Sequence, residues 1–150
     1  MRVAAQARLV GISSRRFMQP GNALLMPEIS VIIPSYNRVT LLPRAVASVS
    51  GQDFDDLEIL IIDDGSADNT AEVVAGLSAA EPRICYIVHP HNKGEAAARN
   101  TGLRAARGRF IAFLDSDVSW INGKLLCQHQ ELGERGEDLA AEDLAALVTA

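Results

Sequence analysis

Asp115-Ser116-Asp117 places two carboxylates one residue apart, directly after the apolar run Phe110 to Leu114. Like charges held this close repel, which costs stability unless something positive sits among them, and a divalent cation is the simplest partner. Mg²⁺ or Mn²⁺ takes hard oxygen ligands and, held by only two, keeps sites for phosphate oxygens and water. Alone, such a triplet is more often a solvated turn. A second acidic segment, Asp63-Asp64-Gly65-Ser66, follows the run Leu57 to Ile62, and its glycine permits a backbone angle that other residues resist. It reads either as a site or as a strand-to-helix turn that caps the next helix. Pro34-Ser35-Tyr36-Asn37 and His89-Pro90-His91-Asn92 stand at the same place after two further runs. His89 and His91, two apart around a proline, belong with the turn into Asn92-Lys93-Gly94 rather than with a metal.

Elements of one kind must position these segments. Ile29 to Ile33, Leu57 to Ile62, Ile84 to Val88 and Phe110 to Leu114 are short, continuous and apolar, the pattern of strands buried on both faces. Helical patterns lie between them. Thr40 can cap a first helix with Pro43 in its first turn and Leu42, Ala45, Val46 and Val49 on one face. Asp68 or Asn69 can cap a second, with Glu72 completing a capping box and Val73, Val74 and Leu77 inward. A third, alanine-rich, runs from about Glu95 to Ala106, stops at Gly108, and can lie close against a sheet. This alternation specifies an α/β fold, a doubly wound and mostly parallel sheet with helices on both faces. Ligands in such sheets bind beyond the carboxyl ends of the strands, so four aspartates converge on one edge.

In order and spacing, PSYNR, DDGSADNT, HNKGEAAARNTGL and FIAFLDSDVSWINGKL resemble the family 2 glycosyltransferases of the GT-A fold, whose donor-binding portion is a Rossmann-like half. The resemblance covers Ile29 to Gln128. It implies a nucleotide-diphospho-sugar donor, with a UDP-sugar favoured, a divalent Mg²⁺ or Mn²⁺ cofactor, and inverting transfer to an acceptor sugar, lipid or protein that the sequence does not identify. Carried over by position, Pro34, Tyr36, Asp63 and Asp64 hold the nucleoside, an acid accepting from the base's N–H. Lys93, Gly94, Arg99 and Asn100 lie near the diphosphate, Asp115 faces the ribose and the metal's water shell, and Asp117 is the direct metal ligand. Trp120, Lys124, Leu125 and Gln128 continue into a structural helix. Val118 stands where many members carry a third acid. The family's general base lies much farther downstream; Glu137-Asp138 and Glu142-Asp143 come too soon and read as the solvated face of a terminal helix.

The ends differ from this middle. Residues 1–27 hold four of the fourteen basic residues and none of the nineteen acids, and read as an unstructured leader from an upstream start, a targeting peptide or a membrane-surface segment. Residues 28–128 form the nucleotide-sugar-binding domain, and 129–150 an atypical helical tail where the family would continue into acceptor-binding elements. On that ground the chain reads as a truncated transferase, incomplete in isolation, or as a nucleotide-sugar-binding fragment without activity. The net charge of −5 opposes nucleic-acid binding. No apolar run is long enough to span a membrane, which suggests a cytoplasmic protein or one peripheral to a membrane. Cys85 and Cys127 read as reduced, buried thiols. A nucleotidyltransferase would want a glycine- and basic-rich phosphate loop after the first strand, and NAD binding a GxGxxG there; PSYNR offers neither.

Overall fold

The computed structural model describes residues 10–11 and 26–135. Its elements are β1 (Val10–Gly11), β2 (Ile29–Ser35), α1 (Leu42–Ser50), β3 (Leu57–Asp63), α2 (Thr70–Ala80), β4 (Ile84–Val88), α3 (Glu95–Ala105), β5 (Phe110–Phe113) and α4 (Lys124–Arg135). They form one five-stranded sheet in the order β1-β5-β2-β3-β4. β5, β2, β3 and β4 run parallel, and β1 pairs antiparallel with β5. The chain therefore builds outward from β2 through β3 to β4, then returns through α3 to lay β5 on the other side of β2. The expected doubly wound sheet is present, and its switch point lies between β2 and β5, where ligands bind in open α/β sheets.

Alternation along the strands divides the core. Ile29, Val31, Ile33, Leu57, Ile59 and Ile61 meet Leu42, Ala45, Val46 and Val49 of α1, Val74 of α2 and Leu125 of α4 on one face. Ile32, Leu60, Ile62 and Ile111 meet Ala98 of α3 on the other. Gly102 fixes how close α3 lies: a Cβ there would stand 2.4 Å from Cγ2 of Ile32, which is fully buried. Among the buried polar strand residues, Ser30 and Glu58 face each other across β2 and β3, and both are satisfied. Ser30 Oγ donates to Glu58 Oε1 at 2.6 Å, and the backbone N–H and guanidinium of Arg107 complete the Glu58 carboxylate.

Four local expectations are corrected. α1 starts after Leu41 with no side-chain cap, so Thr40 does not cap it; Pro43 opens the helix as expected. At α2 neither half of a capping box forms around Asn69; Asp68 accepts from the Thr70 N–H instead. β4 is not buried on both faces, because it is the edge strand and its residues are half-buried or exposed. The same geometry exposes Cys85, and Cys127 is exposed on the outer side of α4, so neither thiol is buried.

At the α2–β4 turn, Glu81 accepts from Arg83 Nε at 2.8 Å and Nη2 at 2.7 Å. These bonds outweigh the cost of burial and lower its pKa from 4.5 to about 2. The pair's contribution is thus complete above pH 4.5 and is lost as pH falls through about 2. Urea denaturation across this window should show a loss of roughly 2 to 3 kcal/mol that is absent in Glu81→Gln. Gly102→Ala should destabilise by about 1 to 2 kcal/mol in the same assay, since overpacking against Ile32 exceeds the helix-propensity gain of up to about 1 kcal/mol.

Candidate functional site

A cleft of about 310 Å³ opens at the carboxyl ends of the strands, lined by Pro34, Ser35, Tyr36, Arg38, Asp64, Asn92, Gly94, Glu95, Ala98, Asp115, Ser116 and Asp117. Its walls are built from the turns that leave each strand. Asp64 N–H donates to the Ser35 carbonyl at 2.8 Å, extending the β2–β3 ladder one step into the loops. Asn37, in the left-handed region at φ 49°, then crosses to the neighbouring turn. Its N–H donates to Ser66 Oγ at 2.9 Å, and its Oδ1 accepts from Ala67 N–H at 2.9 Å. The loop after β2 and the acidic turn after β3 are one stapled unit.

Gly65 joins this unit to the third segment. Its φ is +77°, and a Cβ there would stand 2.6 Å from the His91 carbonyl carbon. Only glycine allows residues 91–94 to lie against the turn, and that approach places two of their N–H groups on Asp64. Asp64 Oδ1 accepts from Lys93 N–H at 2.9 Å and Oδ2 from Gly94 N–H at 2.8 Å. His89 Nδ1 stands 2.7 Å from the same Oδ1. Burial raises the Asp64 pKa, but the hydrogen bonds from His89, Lys93 and Gly94 prevail and hold it below the ordinary carboxylate value.

The two adjacent acids therefore differ. Asp63 points beneath the turn, where Oδ1 accepts from Ser66 N–H at 2.8 Å and Oδ2 from Tyr86 Oη at 2.5 Å; it does not line the cleft, whereas Asp64 does. On the opposite wall, Asp115 and Asp117 are both exposed and flank the buried Ser116. Asp115 Oδ1 accepts from Arg99 Nη2 at 2.9 Å, and Arg99 also pairs with Glu95 at 2.6 Å. Val118 N–H closes a turn on the Asp115 carbonyl, and Arg44 Nη2 reaches the Asp117 carbonyl at 3.3 Å. Gln52, buried on the segment after α1, donates to the Ile121 carbonyl and accepts from Leu125 N–H, so it pins the stretch between Asp117 and α4.

Of the residues singled out in the sequence, Pro34, Tyr36, Asp64, Gly94, Asp115 and Asp117 meet in the cleft. Lys93 contributes a backbone N–H, Arg99 acts on Asp115, and Asn100 does not line the cleft. The sequence reading passed over Arg38, whose guanidinium has no partner among the described residues, and Glu95 and Asn92. Asn92 closes the segment after the third apolar run and was given no role there, Arg38 directly follows Asn37, and Glu95 lies just beyond Gly94, so all three sit in or next to the strand-end segments. Among the described residues, no three His, Cys, Asp or Glu side chains gather to hold a cation unaided. Two exposed carboxylates on one rim do fit Mg²⁺ or Mn²⁺ when phosphate oxygens and water complete the shell.

The sequence profile described as "Glycosyl transferase family 2" matches residues 30–141, well over half of the chain. The chain belongs to glycosyl transferase family 2. Similar curated proteins include the GalNAc(5)-diNAcBac-PP-undecaprenol beta-1,3-glucosyltransferase of Campylobacter jejuni, 42% identical over 110 residues that make up 73% of this chain and 36% of the relative. The UDP-Glc:alpha-D-GlcNAc-diphosphoundecaprenol beta-1,3-glucosyltransferase WfgD of Escherichia coli is 45% identical over 67% of this chain and 39% of its own. Among solved structures, S. aureus TarS in complex with UDP superposes with a TM-score of 0.66 at 30% identity, covering 71% of this chain and 32% of that one. The mannosyltransferase PcManGT of Pyrobaculum calidifontis, solved with GDP-Man and Mn²⁺, superposes at 0.64 with 28% identity over 69% and 31%. The chain thus spans between 31% and 39% of the length of these four relatives. No helix among the described residues is long and apolar enough to cross a membrane.

Asp64→Asn tests how much of this family 2 site is held by one carboxylate. Asparagine offers a single acceptor oxygen and turns an NH₂ toward donors that remain in place, so the variant should lose about 1 to 3 kcal/mol of stability by thermal or urea unfolding. A variant as stable as the parent would mean that the three donors are satisfied elsewhere.

Proposed function

We propose that the cleft binds a nucleoside diphosphate-sugar, a UDP-sugar by preference, together with Mg²⁺ or Mn²⁺, as the donor site of an inverting glycosyltransferase. The observation that carries this reading is that one cleft is lined at once by an aromatic ring, Tyr36, a buried acceptor, Asp64, and two exposed carboxylates, Asp115 and Asp117. The first pair suits a base and the second suits a diphosphate–metal group. Pro34 and Tyr36 pack on the nucleoside while Asp64 accepts from the base, and Asp63 holds the turn from below. Gly94 opens α3, whose N-terminal N–H groups and dipole favour the diphosphate. Arg38, without a partner among the described residues, supplies a cation to the same group, and Lys93 and Asn100 do not line the cleft. Asp117 would hold the cation directly, and Asp115 beside it would face the ribose and the cation's water shell.

When bound, the cation stabilises negative charge on the departing nucleoside diphosphate as a Lewis acid. The chain's own residues orient that leaving group. Arg99 keeps the Asp115 carboxylate compensated before the donor arrives, and the tie of Gln52 to Ile121 and Leu125 holds the segment after Asp117 against α1. Support comes from the relatives' own descriptions: TarS is solved with UDP-GlcNAc, PcManGT with GDP-Man and Mn²⁺, and WfgD is a UDP-Glc-dependent glucosyltransferase. Titration calorimetry with UDP should show affinity raised by Mn²⁺, by about tenfold or more, with the increment abolished in Asp117→Ala. Equal UDP affinity with and without Mn²⁺ in folded protein would overturn the metal-dependent reading.

A further inference from the structure

His89 directly follows β4 and is 6% exposed, yet it does not line the cleft. Both ring nitrogens are engaged. Nδ1 stands 2.7 Å from Asp64 Oδ1, and Nε2 stands 2.8 Å from Thr101 Oγ1 on α3. Thr101 Oγ1 also accepts from Arg104 Nη2 at 3.2 Å. The donors run in one direction. An ionised carboxylate can only accept, so Nδ1 carries the proton, and in the neutral imidazole Nε2 accepts from the Thr101 hydroxyl. Arg104 fills a lone pair of that hydroxyl and leaves its proton for the ring.

Counting lone pairs on Asp64 shows what the chain of bonds achieves. Each carboxylate oxygen has about two acceptor sites. Oδ1 uses both, for His89 and Lys93 N–H, while Oδ2 uses one, for Gly94 N–H. Among the described residues, one acceptor site on Oδ2 is unfilled, on a residue that lines the cleft. The carboxylate can neither rotate without breaking three bonds nor present a donor.

We propose that Arg104, Thr101 and His89 form a positioning chain that sets base specificity by holding Asp64 as a fixed, acceptor-only group. Such a group selects a base whose ring nitrogen carries hydrogen, as in the uracil imide. It rejects one of the same size whose ring nitrogen bears a lone pair, as in cytosine. The inference rests on the donor-binding reading above and adds to it the residues that determine which base is accepted.

The test uses the full chain and two probes, UDP and CDP, titrated in Mn²⁺ by calorimetry, with circular dichroism to confirm folding. The parent should prefer UDP by about tenfold or more. His89→Ala should bring that preference to within about threefold, and His89→Asn, which keeps an N–H near the position of Nδ1, should restore most of it. Thr101→Val preserves side-chain shape while freeing Nε2, and should give an intermediate preference; it decides the matter if His89→Ala does not fold. Folded variants that keep the parental preference would overturn the role of His89 while leaving donor binding intact. A parent that binds neither nucleotide would overturn the donor-binding reading itself. A parent that binds both equally would remove base selection from Asp64 and the positioning chain with it.

Discussion

A buried carboxylate must be matched by donors, and the match at Asp64 organises the whole upper edge of this molecule. Its charge is retained only because three N–H groups from the segment after β4 converge on it. That convergence requires residues 91–94 to touch the turn after β3, which in turn requires glycine at position 65. It also fixes where α3 begins, since Gly94 is at once a donor to Asp64 and the residue preceding the helix. α3 then carries Arg99 to Asp115 and Thr101 to His89. A single electrostatic requirement thus couples the wall that bears Asp64 to the wall that bears the acidic triplet.

Much of the fold was legible because burial and periodicity coincide here. The inward residues of α1 are the four expected from their spacing, and Ala98 and Gly102 explain why an alanine-rich helix lies so close to the sheet. What sequence could not supply was lateral position. Ile84 to Val88 is as apolar as the central strands, yet it is an edge strand, because apolar content does not say whether a second neighbour will cover it. The exposure of Cys85 follows from that. The caps divide in the same way: Thr40 has a suitable side chain, but Leu41 already adopts helical angles, whereas of the two candidates at α2 Asp68, not Asn69, accepts from the helix's first N–H.

The site shows the same division. The motifs placed Asp64, Asp115 and Asp117 on one edge correctly, since strand ends in a parallel sheet must share it. They could not distinguish Asp63 from Asp64, which are adjacent and identical in type. Strand alternation makes that distinction. Asp63 is the last residue of β3 and turns toward Tyr86 on the neighbouring strand, while Asp64 turns toward His89 and the cleft. His89 carried no signal of its own, because a lone histidine beside a proline looks like any turn until its two partners are known.

The placement of β5 bears on how the protein reaches this state. β2 pairs with β3 early in the chain, but its other edge waits for a strand that follows three helices, and Gly108 N–H meets Ser30 Oγ across a separation of 78 residues. Closing so long a loop is entropically costly and slow relative to local pairing. The wall bearing Asp115 and Asp117 therefore comes into being only with the long-range pairing of β5 on β2. During synthesis, the nascent chain can assemble the wall that bears Asp64 while the opposite wall is still missing. A cleft with both walls marks a sheet that has finished folding.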